Sequence, residues 1–537
     1  MELNLKSLSA DQAGFLKAGV KLPGFDVKAL QQRTAQQPVW LHFGAGNIFR
    51  GFIASLQQSL IEQGLQQCGI QTLSAHDGAI IDEVYKPHDC LTLNVTLLPD
   101  GKTELDVIGS VTHGLKLNGT CPEDEQEALR LAAAPSLQLV SYTITEKGYA
   151  IRGLDGKYTA RILEDFEKGP EHCRHAMALT ARLMLKRYQN GALPVALVSM
   201  DNCSHNGDKL KDAVLTVARE WAKRGFADEG FVRYLEDPKK VSFPWSMIDK
   251  ITPRPDPEIA KQLKALGIDG MEPLKTARGS FIAPFVNAEK PQYLVIEDNF
   301  PAGRPPLEKA GVLFTDKQGV DLCERMKVTT CLNPLHTALA VCGCLLGYTR
   351  ISAEMEDPEL VKLVKKLGYD EGLPVVDDPG ILSPRAFLTE VIEKRLPNKC
   401  LPDSPQRIAT DTSQKVPVRF GETIKNYQKR GLDLSKLTAL PLAIAAWMRY
   451  LTGMDDEGRP FELSDDPQKE VLQQQLKGVE FGRPETLGDK LRPILSNQAI
   501  FGTDLYRAGL GEKIEQYTAQ MLAGPHAVRE TLKKALF

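Results

Sequence analysis

Long apolar runs are missing from this 537-residue chain. Its longest strongly apolar stretches, such as the one near Ala439 to Met448, are about half of the roughly 20 residues that a membrane-spanning helix needs. The opening residues MELNLKSLSADQAGFLK also lack the basic segment followed by an apolar one that marks a signal peptide. A cytoplasmic protein with no membrane partner is therefore expected. An excess of positive charge is missing too, since 66 Lys and Arg stand against 69 Asp and Glu, a formal net charge of -3. Without a basic stripe to neutralise a phosphate backbone, nucleic acid is not an expected partner. Among the 10 cysteines there is no Cys-x-x-Cys pair, which argues against zinc ribbons and thioredoxin-type chemistry. Cys342 and Cys344 lie in an apolar segment and read as small buried hydrophobes. His172 and His175 flank Cys173 in a helix-like stretch that does not read as a metal site, so no metal is expected.

The composition that remains, 42% hydrophobic and 25% charged, is that of a globular protein with a full core, divided at this length into two or three domains. Residues 1–37 read as a polar, partly helical extension. After it, Pro38-Val-Trp-Leu-His-Phe43 is a short apolar run meeting Gly44-Ala-Gly-Asn-Ile-Phe-Arg-Gly51, and FIASLQQSLIEQG continues with apolar positions at helical spacing. A strand, a glycine turn and a helix in that order open a dinucleotide-binding unit. Gly44 and Gly46 would permit the tight turn and the approach of a pyrophosphate to the backbone. The third glycine of that fingerprint is replaced by Phe49, so a strand-turn-helix without ligand stays open as an alternative.

A second strand, Ile70 to Ala75, ends at His76-Asp77. An acid at this strand tip would hold a ribose 2'-hydroxyl and favour NAD over NADP, or else cap the turn before Gly78. Residues 90–110 alternate around Pro99-Asp-Gly101 and predict a hairpin inserted in the nucleotide domain. From Glu324 onward the pattern changes to amphipathic helices and proline-rich turns. The expected architecture is α/β: a Rossmann-type doubly wound domain over residues 38–318 with the hairpin insertion, then a mainly α-helical domain over residues 319–537.

At that junction stands Glu324-Arg-Met-Lys327-Val-Thr-Thr-Cys-Leu-Asn333-Pro-Leu-His336. Pro334 suits a first helical turn and Asn333 the cap before it. Asn333 and His336, three apart, can face one side. A desolvated lysine just ahead of them can have its pKa lowered towards roughly 7 to 8 and act as a general base. A capping Asn, a satisfied His and a surface Lys account equally well for the same residues.

Seven segments together resemble the mannitol dehydrogenase family of polyol-specific long-chain dehydrogenases. They are Gly44 to Arg50, Thr143-Ile-Thr-Glu-Lys-Gly-Tyr149, Ser199-Met-Asp-Asn202 with Asn206-Gly207, Met247 to Pro253, Val295 to Arg304, Lys327 to His336, and Arg407 to Pro417. The resemblance implies zinc-independent hydride transfer between NAD(P) and a secondary alcohol. By motif it assigns Lys327 as general acid/base, Asn202 and Asn333 as donors to the reacting oxygen, His336 as an orienting group and Glu324 as a proton relay. It assigns cofactor contacts to Gly44, Gly46, Asn47, Ile48, Phe49, Arg50, Asp77 and Glu146, with NAD the expected cofactor, and substrate contacts to Asp249, Arg407 and Lys415. The segments Lys327 to His336 and Tyr293 to Phe300 are most like the branch that interconverts D-mannonate and D-fructuronate, with mannitol 2-dehydrogenases and tagaturonate reductases as alternatives. A small sugar acid or polyol is then the expected partner, to a monomer or small homo-oligomer. One departure stands out: the family commonly has four residues between the lysine and the asparagine, and here there are five.

Overall fold

A computed structural model describes every residue except Leu154. The described residues divide into two units, Met1–Leu98 with Lys102–Asp321, and Leu322–Phe537 with Pro99–Gly101. The division after Asp321 falls inside the helix Lys317–Met326, where the sequence suggested a boundary after residue 318.

The first unit is organised around six parallel strands: β1 (Trp40–Phe43), β2 (Ile70–Ser74), β3 (Val111–Lys116), β4 (Leu139–Tyr142), β5 (Val195–Ser199) and β6 (Val241–Ser242). Their order across the sheet is β3-β2-β1-β4-β5-β6, with the direction of winding reversing beside β1. This is the dinucleotide-binding order, which leaves a crevice at the carboxyl ends of β1 and β4. Every residue of β1, β2, β4 and β5 is buried, as a parallel sheet covered on both faces requires. Trp40, Ile70 and Leu139 enter one apolar cluster with the helix Ala54–Glu62; Leu41, Phe43 and Val140 enter another with the helices Ala176–Gln189 and Asn206–Lys223. The alternation along each strand thus decides which helices it holds.

The expected hairpin forms from Thr92–Leu97 and Thr103–Ile108. It belongs to a separate four-stranded sheet that also contains Val20–Lys21 and Phe285–Glu289. Residues 1–37 are therefore not an appended extension. Val20 pairs with Leu105, and Leu3, Phe15 and Leu30 are fully buried, so these scattered apolar positions tie the segment into the first unit.

The second unit is helical, with no strand among its described residues. Its centre is the pair of helices Asn333–Leu345 and Ala439–Tyr450, the latter buried at every position. The apolar run near Ala439 is thus a core helix. Lys317–Leu345 forms a 29-residue helical stretch long and apolar enough to cross a membrane by length and composition, yet most of it is buried within the protein.

One core group has an expected consequence for stability. Glu354 is fully buried, neither carboxylate oxygen has a hydrogen-bond partner among the described residues, and its Oε1 lies where a Cβ on Gly343 would come within 2.1 Å. Burial, aided by the Asp357 carboxylate, pushes its pKa well above the ordinary value. The folded state then keeps a proton that the unfolded chain releases, so stability falls as pH rises above the ordinary carboxylate range. Glu354→Met removes this cost, of order 1–3 kcal/mol for an unpaired buried polar group. The expected result is a higher Tm at pH 8 and a weaker dependence of Tm on pH between 5 and 8, measured by scanning calorimetry; an unchanged or lower Tm would sink the account.

Candidate active site

In the first unit the chain leaves β1 through Gly44, whose φ of 115° is open to glycine but not readily to other residues. A Cβ here would lie 2.3 Å from the Thr143 carbonyl oxygen. Gly46 is different. It is exposed, and nothing lies within 4 Å of the position a Cβ would take, which leaves open space beside the backbone where a pyrophosphate would approach. The helical run starts at Asn47, so the N–H groups of its first turn have no partner within the helix.

Phe49, standing where the fingerprint has its third glycine, is buried and stacks on His42 with ring centroids 4.0 Å apart. His42 in turn contacts Ser141 Oγ at 2.6 Å and Thr143 Oγ1 at 2.8 Å, and burial holds its imidazole well below its usual pKa. Arg50 is also fully buried, donating to the Ala283 carbonyl at 2.8 Å and to Asn47 Oδ1 at 3.0 Å, while Asn47 Nδ2 donates to the Pro253 carbonyl at 3.1 Å. Phe49 and Arg50 therefore have no exposed surface for a cofactor and shape the turn from behind. Ile48 is half-buried.

Asp77 follows β2. Its Oδ1 accepts from the Ala79 N–H at 3.1 Å, so it does cap the turn, and its Oδ2 accepts from Thr276 Oγ1 at 2.7 Å. At the tips of β4 and β5 two of the quoted segments are joined by Asp201. Its Oδ2 accepts from the Ile144 N–H at 2.8 Å and Tyr149 hydroxyl at 2.6 Å, and its Oδ1 from the Thr145 N–H at 3.0 Å. Burial raises its pKa despite these donors. Ser199 Oγ donates to the Tyr149 oxygen at 2.7 Å. Asn206 is buried and bonds both to the Asp201 carbonyl and to Ser246, and a Cβ at Gly207 would meet the Phe243 carbonyl at 2.5 Å. The motif residues Tyr149, Asn206 and Gly207 thus build the loop that presents Asn202, which is exposed. Glu146 is exposed beside them and ion-pairs with Lys209. Asp249 ends the buried strand Ser246–Asp249, paired opposite Tyr293.

In the second unit Lys327 is 2% exposed. It opens a π-helical turn, Lys327–Cys331, in which the Leu332 N–H bonds the Lys327 carbonyl at 3.1 Å, five residues back. The extra residue ahead of Asn333 is taken up by this wide turn, and the backbone leaves helical geometry only at Leu332, with φ -129° and ψ -61°. Thr329 Oγ1 donates to the Arg325 carbonyl at 2.7 Å and Thr423 Oγ1 to the Thr329 carbonyl at 3.1 Å, which secures the turn on both sides. Asn333 is not the cap. Leu332 occupies the cap position and Asn333 is the first helical residue, with Pro334 after it. Glu324, half-buried, lies one turn before Lys327.

His336 Nε2 is buried without a hydrogen-bond partner among the described residues, 3.7 Å from Asp403 Oδ2. Burial lowers its pKa, and the guanidinium groups of Arg419, Arg395 and Arg407 act in the same direction against Asp403, which keeps the ring neutral. Arg407 is exposed and ion-paired to Asp403. Lys415 donates to the Ile408 and Thr410 carbonyls, and burial with the neighbouring Arg419 and Arg407 brings its pKa down to about 8. Arg419, mostly buried and donating to Thr337 Oγ1 at 2.6 Å, has its pKa lowered to about 10 by burial. Arg395 and Arg419 were not singled out from the sequence. Arg419 had a local signal, two cations four residues apart on one helical face, whereas Arg395 had none.

A parallel sheet in dinucleotide-binding order with a glycine turn, and a helical unit carrying a buried lysine close in sequence to Asn333 and His336, define a nucleotide-dependent dehydrogenase. The chain belongs to the mannitol dehydrogenase family: residues 39–309 match the mannitol dehydrogenase Rossmann domain and residues 320–522 its C-terminal domain. It is 51% identical over 539 residues to the D-mannonate oxidoreductase of Thermotoga maritima, covering 100% of this chain and 99% of that protein. Among solved structures it is similar to a D-sorbitol dehydrogenase in substrate-free form, at 26% identity and a TM-score of 0.77 over 97% of this chain and 98% of the other. It is also similar to the Pseudomonas fluorescens mannitol 2-dehydrogenase in ternary complex with NAD and D-mannitol, at 25% identity and a TM-score of 0.70 over 99% of each.

Proposed function

We propose that this protein interconverts D-mannonate and D-fructuronate with NAD as hydride carrier: D-mannonate and NAD give D-fructuronate, NADH and a proton. The observation that carries the reading is the match to the Thermotoga maritima D-mannonate oxidoreductase over the full length of both chains. NAD, when bound, supplies the acceptor for the hydride. Gly44, Gly46 and the N–H groups from Asn47 onward would receive its pyrophosphate and Asp77 a ribose hydroxyl, with Ile48 and Glu146 bordering the same turn region.

In the direction of oxidation the Lys327 amine takes the hydroxyl proton as the hydride departs; in reduction its ammonium gives the proton back to the oxygen. Asn333 and Asn202 donate hydrogen bonds to that oxygen and lower the energy of the developing alkoxide. Glu324 passes the proton between Lys327 and water. His336, neutral and with a free ring nitrogen, binds a substrate hydroxyl, as does Asp249. Arg407 and Lys415, reinforced by Arg395 and Arg419, hold the carboxylate that separates a sugar acid from a polyol. The enzyme is read as a cytoplasmic monomer or small homo-oligomer.

The test is NADH consumption with fructuronate, tagaturonate and fructose in parallel, repeated with NADPH. A strong preference for fructuronate with NADH supports the proposal. A preference for fructose would move the chain to the polyol branch with the same Lys327 chemistry.

The charge on Lys415 makes a separate expectation. Its ammonium persists below pH 8 and is lost as pH rises through about 8. The KM for fructuronate should therefore rise over pH 7.5–9, while that for an uncharged ketose stays flat. Lys415→Arg, which holds its charge throughout, should level the curve. Parallel rises for both substrates would remove Lys415 from carboxylate binding.

A further inference from the structure

The acid at the tip of β2 is held by a segment far away in the chain. Leu274–Lys275 and Phe281–Ile282 pair as an antiparallel hairpin whose turn runs from Thr276 to Ser280. Thr276 Oγ1 accepts from the Ser280 N–H at 3.2 Å and donates to Asp77 Oδ2 at 2.7 Å. With its lone pair turned to Ser280, the hydroxyl has its proton committed to the carboxylate. Asp77 Oδ1 is meanwhile on the Ala79 N–H, so each carboxylate oxygen has a fixed donor and the group cannot rotate freely. The hairpin also reaches the preceding residue, Arg278 Nη1 lying 3.2 Å from His76 Nδ1. Both residues at the strand tip are engaged by one exposed turn.

We propose that Thr276 is a positioning residue for dinucleotide choice: it fixes the Asp77 carboxylate so that it accepts from a ribose 2'-hydroxyl and repels a 2'-phosphate. The inference rests on the reading of Asp77 as the ribose-binding acid. A carboxylate discriminates between these two groups only while it is held against the 2' position. If it is free to swing into solvent, it loses the hydroxyl bond and relieves the repulsion together. Arg278, the cation of this turn, is engaged with His76, its Nη1 lying 3.2 Å from the ring nitrogen Nδ1.

The experiment measures binding of NAD and NADP to the full-length protein by isothermal titration calorimetry, with no substrate present. Wild type is compared with Asp77→Ala, Thr276→Val, Thr276→Ser and the double variant D77A/T276V. T276V, which keeps the shape and removes the donor, should lower the ratio of NAD to NADP affinity by about 3- to 10-fold, the loss expected for one hydrogen bond. T276S should return it to within about twofold of wild type, and T276V should add nothing in the D77A background. A shifted ratio in D77A with an unshifted ratio in T276V would overturn the positioning role while leaving Asp77 in place. An unshifted ratio in D77A would overturn the reading of Asp77 and the inference with it.

Discussion

Lys327→Ala should lower turnover by about 10²- to 10⁴-fold, the usual contribution of a positioned general acid or base. Lys327 is 2% exposed and sits on a turn held by Thr329 and Thr423, so no solvent-borne proton replaces it at the same position. Lys327→Arg should be nearly as impaired, because guanidinium does not release its proton near neutral pH. NADH affinity, read by fluorescence titration, should stay within about twofold of wild type in both variants, since the residues assigned to the cofactor lie in the first unit. Turnover within tenfold of wild type in the alanine variant would refute the assignment of Lys327.

Gly44→Ala should damage stability and cofactor binding together. The backbone at φ 115° admits alanine only with strain, and the added carbon would sit 2.3 Å from the Thr143 carbonyl oxygen. Neither side can retreat: the Gly44 N–H is bonded to the Leu73 carbonyl at 3.0 Å, and the Thr143 N–H to the Phe43 carbonyl at 2.9 Å. Strain of this kind costs about 1–3 kcal/mol before the clash is counted. A lowered Tm and a loss of NADH binding of tenfold or more are expected together. Gly46→Ala separates the two effects, because its methyl meets no protein atom. It should leave Tm unchanged and weaken NADH alone, through the space a pyrophosphate needs. Equal NADH affinity in Gly46→Ala and wild type would remove Gly46 from the cofactor site.

The site was legible in the sequence where it depends on neighbours along the chain. The apolar run into Gly44, the acid closing β2, the hairpin around Pro99-Asp-Gly101 and the Lys327 to His336 segment all announce themselves within a dozen residues. Reading failed where a local pattern was overruled from outside. Asn333 had the makings of a helix cap, but the wide turn ending at Cys331 puts the non-helical residue one position earlier, at Leu332, so Asn333 already lies inside the helix. Residues 1–37 looked like an extension because their apolar residues are sparse. Phe15 and Leu30 find partners only in the folded first unit. Arg50 sits in a cofactor motif and proves to be a buried brace for its own turn.

By itself, then, the sequence determined the strand-turn-helix start and the change from mixed to helical structure, since glycine content, alternation and helical spacing are properties of adjacent residues. Tertiary structure alone decided that Asp201 would bind two motifs into one loop, that Arg395, Arg407 and Arg419 would all act on His336, and that Thr276, 199 residues from Asp77, would hold its carboxylate. Hydrogen bonds and charge interactions act over a few ångströms of space and carry no record of distance along the chain, so partners that far apart become visible only when the fold has brought them together.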